Sequence, residues 1–470
     1  MKSTVVEPTT DNLADSIIND KFKRNSDEIR FLKYLKELEG PYTVALDGKW
    51  GTGKTFYVKE ANLIMNYLWK KNAEDNDSKV CDELPPDIGN QLKNKLDEIS
   101  QDIIDLKQYG IYYDAWKNDY QSNPLYSLIL TIIEQTKMNI HKSNFDFMKS
   151  ATGILLILSQ FLPGPYSEII GIGKQLVDMY KKARNDDKEA DILNSAKNEK
   201  KLNSEIQEFF SQLSEALSGS RIVIFIDELD RCNPQFAVRL LEQLKHYLRH
   251  ENITFVLSVD TMQLQHTIKK FYGEGYDGSL YIDKMVDDKI FLREIRAKYL
   301  LEADGHQSDE YYTILINDLA RYFGFSLRVT EKFLDRMRKN ILPYYVPHHN
   351  NLYVSDENYF CLRFFAPILL ALNYGDPNGY NDFVNGNGWE ILQNLMMSSK
   401  DSYKLLRKSV GPFGNETKWF GTTNDEALDK LHLIYMAVFN DSEWPDSITN
   451  GLSFSGDLKD FLLKNIQLEK

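Results

Sequence analysis

The chain of 470 residues carries 69 acidic against 56 basic side chains, a net charge of −13 at pH 7, which argues against broad non-specific binding to nucleic acid. A hydrophobic share of 42% beside 27% charged residues is that of a globular protein with room for two or three domains. Cys81, Cys232 and Cys361 lie far apart without metal-ligand spacing and read as reduced thiols of a cytoplasmic protein.

Residues 1–24 are polar and are expected to be frayed at the start, and Met1-Lys2-Ser3-Thr4 lacks the apolar core of a secretory signal. From Asn25 the spacing of Ile29, Leu32, Leu35 and Leu38 predicts a helix, capped by Ser26 or Asp27 and ended by Gly40-Pro41. The apolar run Tyr42 to Leu46 then reads as a strand that feeds Gly48-Lys49-Trp50-Gly51-Thr52-Gly53-Lys54-Thr55, with Phe56 opening the helix that follows. Apolar residues at Phe56, Ala61, Ile64, Met65, Leu68 and Trp69 keep close to a helical repeat. This strand, glycine loop and helix form a phosphate-binding unit: the glycines let successive N–H groups face one anion, and the helix N-terminus favours its charge. Lys54 supplies a point charge for the terminal phosphates of a nucleotide, and the Thr55 hydroxyl is a magnesium ligand.

Residues 71–90, with Pro85-Pro86, read as an exposed linker, followed by a charged helix over about 91–106. Ile111 to Trp116 is a short β-rich run, and Pro124 opens an apolar helix. The apolar stretch 151–180 is split by Pro163-Gly164-Pro165, so neither part approaches the ~20 residues of a spanning helix. Buried helices or a partner-facing surface fit it, with a re-entrant membrane segment as the alternative. A helix stripe at Leu202, Ile206, Phe209, Phe210, Leu213 and Leu217 ends at Gly219.

Arg221 to Ile226 and Ile253 to Val259 are continuous apolar runs of the kind buried on both faces of a parallel sheet, which binds ligands at its carboxyl edge. At the end of the first, Asp227 is placed to orient magnesium and Glu228 to polarise an attacking water. Asp230 reads as a cap for the helix near Pro234, and Arg231 as a local ion pair or a γ-phosphate sensor. Ser258 and Asp260 end the next strand, where a polar sensor often sits; Asp260 equally suits a helix cap. Beyond Leu300 the chain reads as mainly helical.

Four short runs in order, Trp50 to Thr55, Tyr113-Asp114-Ala115-Trp116, Asp227-Glu228-Leu229-Asp230-Arg231-Cys232 and Tyr281-Ile282-Asp283-Lys284-Met285, resemble the KAP family of P-loop NTPases over roughly residues 20–300. The resemblance implies an α/β fold: a P-loop NTPase parallel sheet of the additional-strand, catalytic-glutamate type, with Trp50 and Trp116 as signature aromatics. The expected organisation is an NTPase domain over 1–300, with a long mainly helical insert at about 72–218, and a helical C-terminal domain over 301–470. Members often carry transmembrane helices in the insert; this chain departs there, and has Asp114 where the family commonly has asparagine.

Related ATPases often place a second sensor in a Ser-x-Arg run, which assigns Arg328 to that role with a surface ion pair as the alternative. Lys284, Arg293 and Arg296 are candidate arginine-finger-type donors to a neighbour. The implied ligands are ATP and Mg2+, with a protein partner or a homo-oligomer, and peripheral membrane contact at most. The family includes membrane-linked scaffolds in animals and bacterial proteins that block phage growth. An ATPase that switches its helical domain or a partner, in anti-phage defence, is one reading; a nucleotide-gated scaffold with negligible turnover is the other, and the acidic total disfavours a nucleic-acid motor.

Overall fold

The computed structural model describes residues 7–72, 84–103, 106–136 except 122, 199–295, 310–341, 355–399, 401–408, 423–440 and 453–466, with isolated residues between them. It divides into two compact units, which part after Arg293. The first is built on five parallel strands, β1 (Tyr42–Asp47), β2 (Gln108–Asp114), β3 (Arg221–Asp227), β4 (Ile253–Val259) and β5 (Asp288–Phe291), in the spatial order β2-β3-β4-β1-β5. β4 lies between the strand before the glycine loop and the strand that ends in Asp227, so the additional-strand α/β architecture is the one observed.

The helices of this unit are α1 (Thr10–Asn19), α2 (Asn25–Glu37), α3 (Lys54–Asn72), α4 (Pro86–Asp102), α5 (Pro124–Thr136), α6 (Glu199–Ala216), α7 (Pro234–His246), α8 (Thr261–Tyr272) and α9 (Gly278–Met285). They sort onto two faces. One core joins α5, α6, α7 and α8 to Ile111, Ile222, Ile224, Ile226 and Phe255; the other joins α1 to α4 to Val44, Leu46, Val223, Phe225 and Val256. Alternate side chains of β3 thus enter opposite cores, which explains why its sequence is apolar without a break.

β2 belongs to the stretch 72–218 yet forms an edge of the sheet, so this stretch is not helical throughout. Its outer edge is closed by side chains. Asn66 of α3 accepts from the Gly110 N–H at 2.8 Å and donates to the Gly110 carbonyl at 3.0 Å, and Gln135 of α5 brackets Tyr112 in the same way. A Cβ at Gly110 would stand 2.2 Å from Asn62 Oδ1, so glycine there lets α3 approach without that side chain shifting. These amides satisfy backbone groups that an open edge would offer to another strand.

The fraying expected at the start of the chain falls on residues 1–6, which lie outside the described residues; a packed helix follows. α1 is capped by Thr9 and buries Leu13, Ala14 and Ile17, because their spacing gives it one apolar face. α2 is not capped by Ser26 or Asp27; Asp20 instead accepts from the Asn25 N–H at 3.1 Å. Among the described residues no helix is long and apolar enough to cross a membrane, and most of the apolar stretch 151–180, from residue 155 on, lies outside them. Cys232 and Cys361 are free and buried, and Cys81 is outside the described residues.

The second unit is helical. Ser326 caps the helix Leu327–Asn340, and a short π-helical stretch, Cys361–Phe365, turns Phe360, Phe364 and Phe365 into one aromatic core with Phe383 and Phe439.

Beneath the glycine loop, three charged side chains are buried together: Arg24, Glu28 and Glu60. Both Glu28 oxygens and Glu60 Oε1 lack a hydrogen-bond partner. Burial, and then the negative charge of Glu60, hold Glu28 well above the usual carboxylate range, so a proton is retained there on folding. A carboxyl whose native value is raised loses stability for the fold as pH climbs from about 4.3, its ordinary value, to that native value. Glu28→Gln removes this loss: thermal melts should show a higher midpoint than wild type at pH 8 and little difference at pH 4.5, the gain being about 1.4 kcal/mol per unit of pKa displacement.

Candidate functional site

Parallel register brings the ends of four strands level: Asp114 is paired with Asp227, Asp227 with Ser258, and Asp47 with Val259. The glycine loop leaves β1 at this edge. Its first turn is tied to β4 by the Gly48 N–H, which donates to the Val259 carbonyl at 3.1 Å. Asp47 closes the same corner by accepting from the Thr261 N–H at 2.9 Å and the Thr261 hydroxyl at 2.6 Å. Gly51 and Gly53 have φ of 80° and 85°, backbone that only glycine adopts without strain. From below, the Arg24 guanidinium donates to the Thr52 carbonyl at 3.1 Å and to the Arg293 carbonyl. Burial pulls this arginine down to about 10.

Lys54 is buried and donates from Nζ to the Gly48 carbonyl and, at 3.3 Å, to the Lys49 carbonyl, so its ammonium spans the mouth of the loop. The loop thus presents a buried cation inside a backbone turn, the requirement for a polyphosphate. Phe56 turns the other way, its ring meeting Phe22 edge to face at 5.4 Å. Trp50 is 47% exposed and donates from Nε1 to Asp230 Oδ2 at 2.6 Å. Lys49 and Thr52 are joined by the Thr52 hydroxyl, which donates to the Lys49 carbonyl at 2.9 Å.

The acid pair is brought to the loop. Thr55 Oγ1 donates to Glu228 Oε1 at 3.2 Å across 173 positions of sequence. Glu228 has φ of 62°, left-handed for a residue with a side chain, at the tight turn that ends β3. Burial raises its carboxyl above the usual range, Asp227 adds to this, and Arg231 opposes it. Asp227 is buried and both its oxygens are held: Ser258 Oγ donates to Oδ1 at 2.6 Å, and Tyr112 OH donates to Oδ2 at 3.0 Å. Burial, and then Asp227, raise the Tyr112 hydroxyl, which keeps it a donor. Lys59 lies over the Tyr112 ring at 4.8 Å, and burial followed by Lys117 lowers its ammonium.

Among the described residues no three His, Cys, Asp or Glu side chains form a metal cage. The donor set fits magnesium held in another way, through the Thr55 hydroxyl, the Asp227 carboxylate, water and substrate phosphates.

Of the residues anticipated from sequence, Asp230 takes another partner, while Asp260 and Arg231 take the helix cap and the local ion pair, one of the two readings for each. Asp230 does not cap α7; Asn233 does. Asp230 instead joins Trp50 to the Asp260 N–H, which it accepts at 3.0 Å. Asp260 caps α8 through the Met262 and Gln263 N–H groups, and Ser258 serves Asp227. Arg231 is ion-paired with Glu228. Asp114 caps the short helix Ala115–Asn118. Arg293 pairs with Asp27 at 3.1 Å, the Lys284 carbonyl accepts from Lys245, and the Arg296 side chain is outside the described residues. Arg328 lies in the first turn of Leu327–Asn340, in the other unit. Tyr112 was not anticipated; its place two residues before Asp114 on a strand with alternating faces is the signal that could have found it.

The family model described as the KAP family P-loop domain matches residues 29–300. No curated protein matches the chain. Among solved structures the chain is similar to the Aeropyrum pernix ORC2 protein in its ADPNP-ADP complexes, at 13% identity and a TM-score of 0.30, over 84% of this chain and 91% of that one.

Because Ser258 holds one oxygen of Asp227, Ser258→Ala should lower nucleotide affinity in magnesium roughly 10-fold or more. Titrations with a fluorescent ATP analogue in EDTA should show no such difference.

Proposed function

The chain belongs to the KAP family of P-loop NTPases, and from that premise we propose that it binds ATP with magnesium and hydrolyses it, with Glu228 as the base that polarises water. The observation that carries this reading is the hydrogen bond between Thr55 and Glu228 at 3.2 Å, which brings the metal-binding hydroxyl and the candidate base within reach of one γ-phosphate. Lys54 holds the β- and γ-phosphates, and Gly48, Lys49, Trp50, Gly51, Thr52, Gly53, Thr55 and Phe56 form the cradle, the last through its backbone. Thr55 and Asp227 take the magnesium, which when bound neutralises phosphate charge and orients the leaving group. Ser258 and Tyr112 keep the Asp227 carboxylate from rotating, and the burial that raises Glu228 brings its basicity closer to neutral pH.

In this proposal turnover is slow until a neighbour supplies an arginine, a contribution of roughly 10³ to 10⁵ in related phosphoryl transfer. The nucleotide state is read by the helical C-terminal unit or by a partner, with anti-phage defence as the setting suggested by the family resemblance.

Lys54→Ala should abolish ATP binding by calorimetry. Glu228→Gln should keep binding and lose phosphate release by about 10² to 10⁴. Equal, near-zero release from wild type and Glu228→Gln would instead favour a nucleotide-gated scaffold.

A further inference from the structure

Three loops of the sheet's carboxyl edge converge on one guanidinium. Arg231 follows β3, and its Cζ lies 5.7 Å from the ring centre of Trp50, in the loop after β1, and 5.5 Å from that of Trp116, in the turn after β2. Its Nε is ion-paired with Glu228 Oε2. The two tryptophans are 47% and 52% exposed, so they are not core residues that happen to pass an arginine. Trp50 is itself fixed by its bond to Asp230, which in turn holds the Asp260 N–H.

We propose that Arg231, held between Trp50 and Trp116, is the positioning residue for Glu228. Glu228 has two oxygens with different surroundings. Oε1 faces the cradle, where Thr55 donates to it. Oε2 is buried, and its charged partner is Arg231. A carboxylate on a flexible side chain has rotamers to choose from, and an ion pair on one oxygen selects the rotamer that leaves the other toward the phosphates. Arginine suits this because its planar group can offer an edge to a carboxylate and its faces to aromatic rings, which an ammonium cannot do.

This inference rests on Glu228 being the base, and its test separates the two. Phosphate release and ATP affinity are compared for wild type, Glu228→Gln, Arg231→Ala, Arg231→Lys, Trp116→Ala and the double variant Arg231→Ala with Glu228→Gln. Positioning predicts that Arg231→Ala lowers kcat about 10-fold or more with ATP affinity unchanged, and that Arg231→Lys recovers only part. Trp116→Ala, an exposed site that should fold normally, should lower kcat several-fold. In the double variant the Arg231 change should cost nothing further, since its effect passes through Glu228. Full turnover in both Arg231→Ala and Trp116→Ala overturns the inference and leaves the hydrolysis reading intact. So does a loss that appears equally in ATP affinity, or one that multiplies with the loss from Glu228→Gln. Release from wild type no faster than from Glu228→Gln removes the hydrolysis reading and this inference with it.

Discussion

Every contact at the site depends on the parallel register that ends β1, β3 and β4 at one level. Asp227 sits opposite Ser258, and Gly48 follows a residue paired with Val259, so the buried acid and the glycine loop emerge side by side. A slip of one residue would turn Asp227 to the other face of the sheet and carry Ile226 into its place. The apolar runs of β3 and β4 guard against this slip. Both faces are buried, and each alternate residue is shaped to its own helix layer.

Above this frame the loop is tied down on three sides. β4 takes the Gly48 N–H, Arg24 takes the Thr52 carbonyl, and Asp230 takes the Trp50 indole. A loop held this way loses little further entropy when an anion enters it, which favours binding over collapse of the turn. The arrangement carries a cost below the loop, where Arg24 faces two buried carboxyls whose charges one guanidinium cannot balance. Retaining a proton on Glu28 is cheaper than exposing the cluster, because α1 and α2 bury Leu13, Ile17, Phe31 and Leu32 over it.

The acids of the run Asp227 to Asp230 have separate employments set by their surroundings. Asp227 is locked by two hydroxyl donors. Glu228 is left with one donor and one counter-ion, at a strained backbone position. Asp230 points away from its own helix to hold Trp50 and Asp260. Neighbouring carboxylates thus take separate partners without competing, since the turn after β3 aims each in a different direction.

The sequence by itself determined the parallel α/β fold, the glycine loop between β1 and α3, and the acid pair at the end of β3. Those features are local: unbroken apolar runs, glycines at positive φ and a helical repeat follow from a few neighbouring residues. It also offered the cap at Asp260 as one of two readings, because the cap bonds only to the two residues after Thr261. Only the tertiary structure decided the partners of Asp230, Tyr112 and Ser258, the approach of Trp50 and Trp116 to Arg231, and the burial of α1. Each of these depends on side chains that lie tens to hundreds of positions apart, and local periodicity carries no record of which distant oxygen a hydroxyl or guanidinium will meet. Asp230 shows the difference most plainly. Next to Pro234 it has the residue type of a helix cap, yet a tryptophan 180 positions earlier claims its carboxylate, since the strand register sets that indole within reach and Asn233 is left to cap the helix.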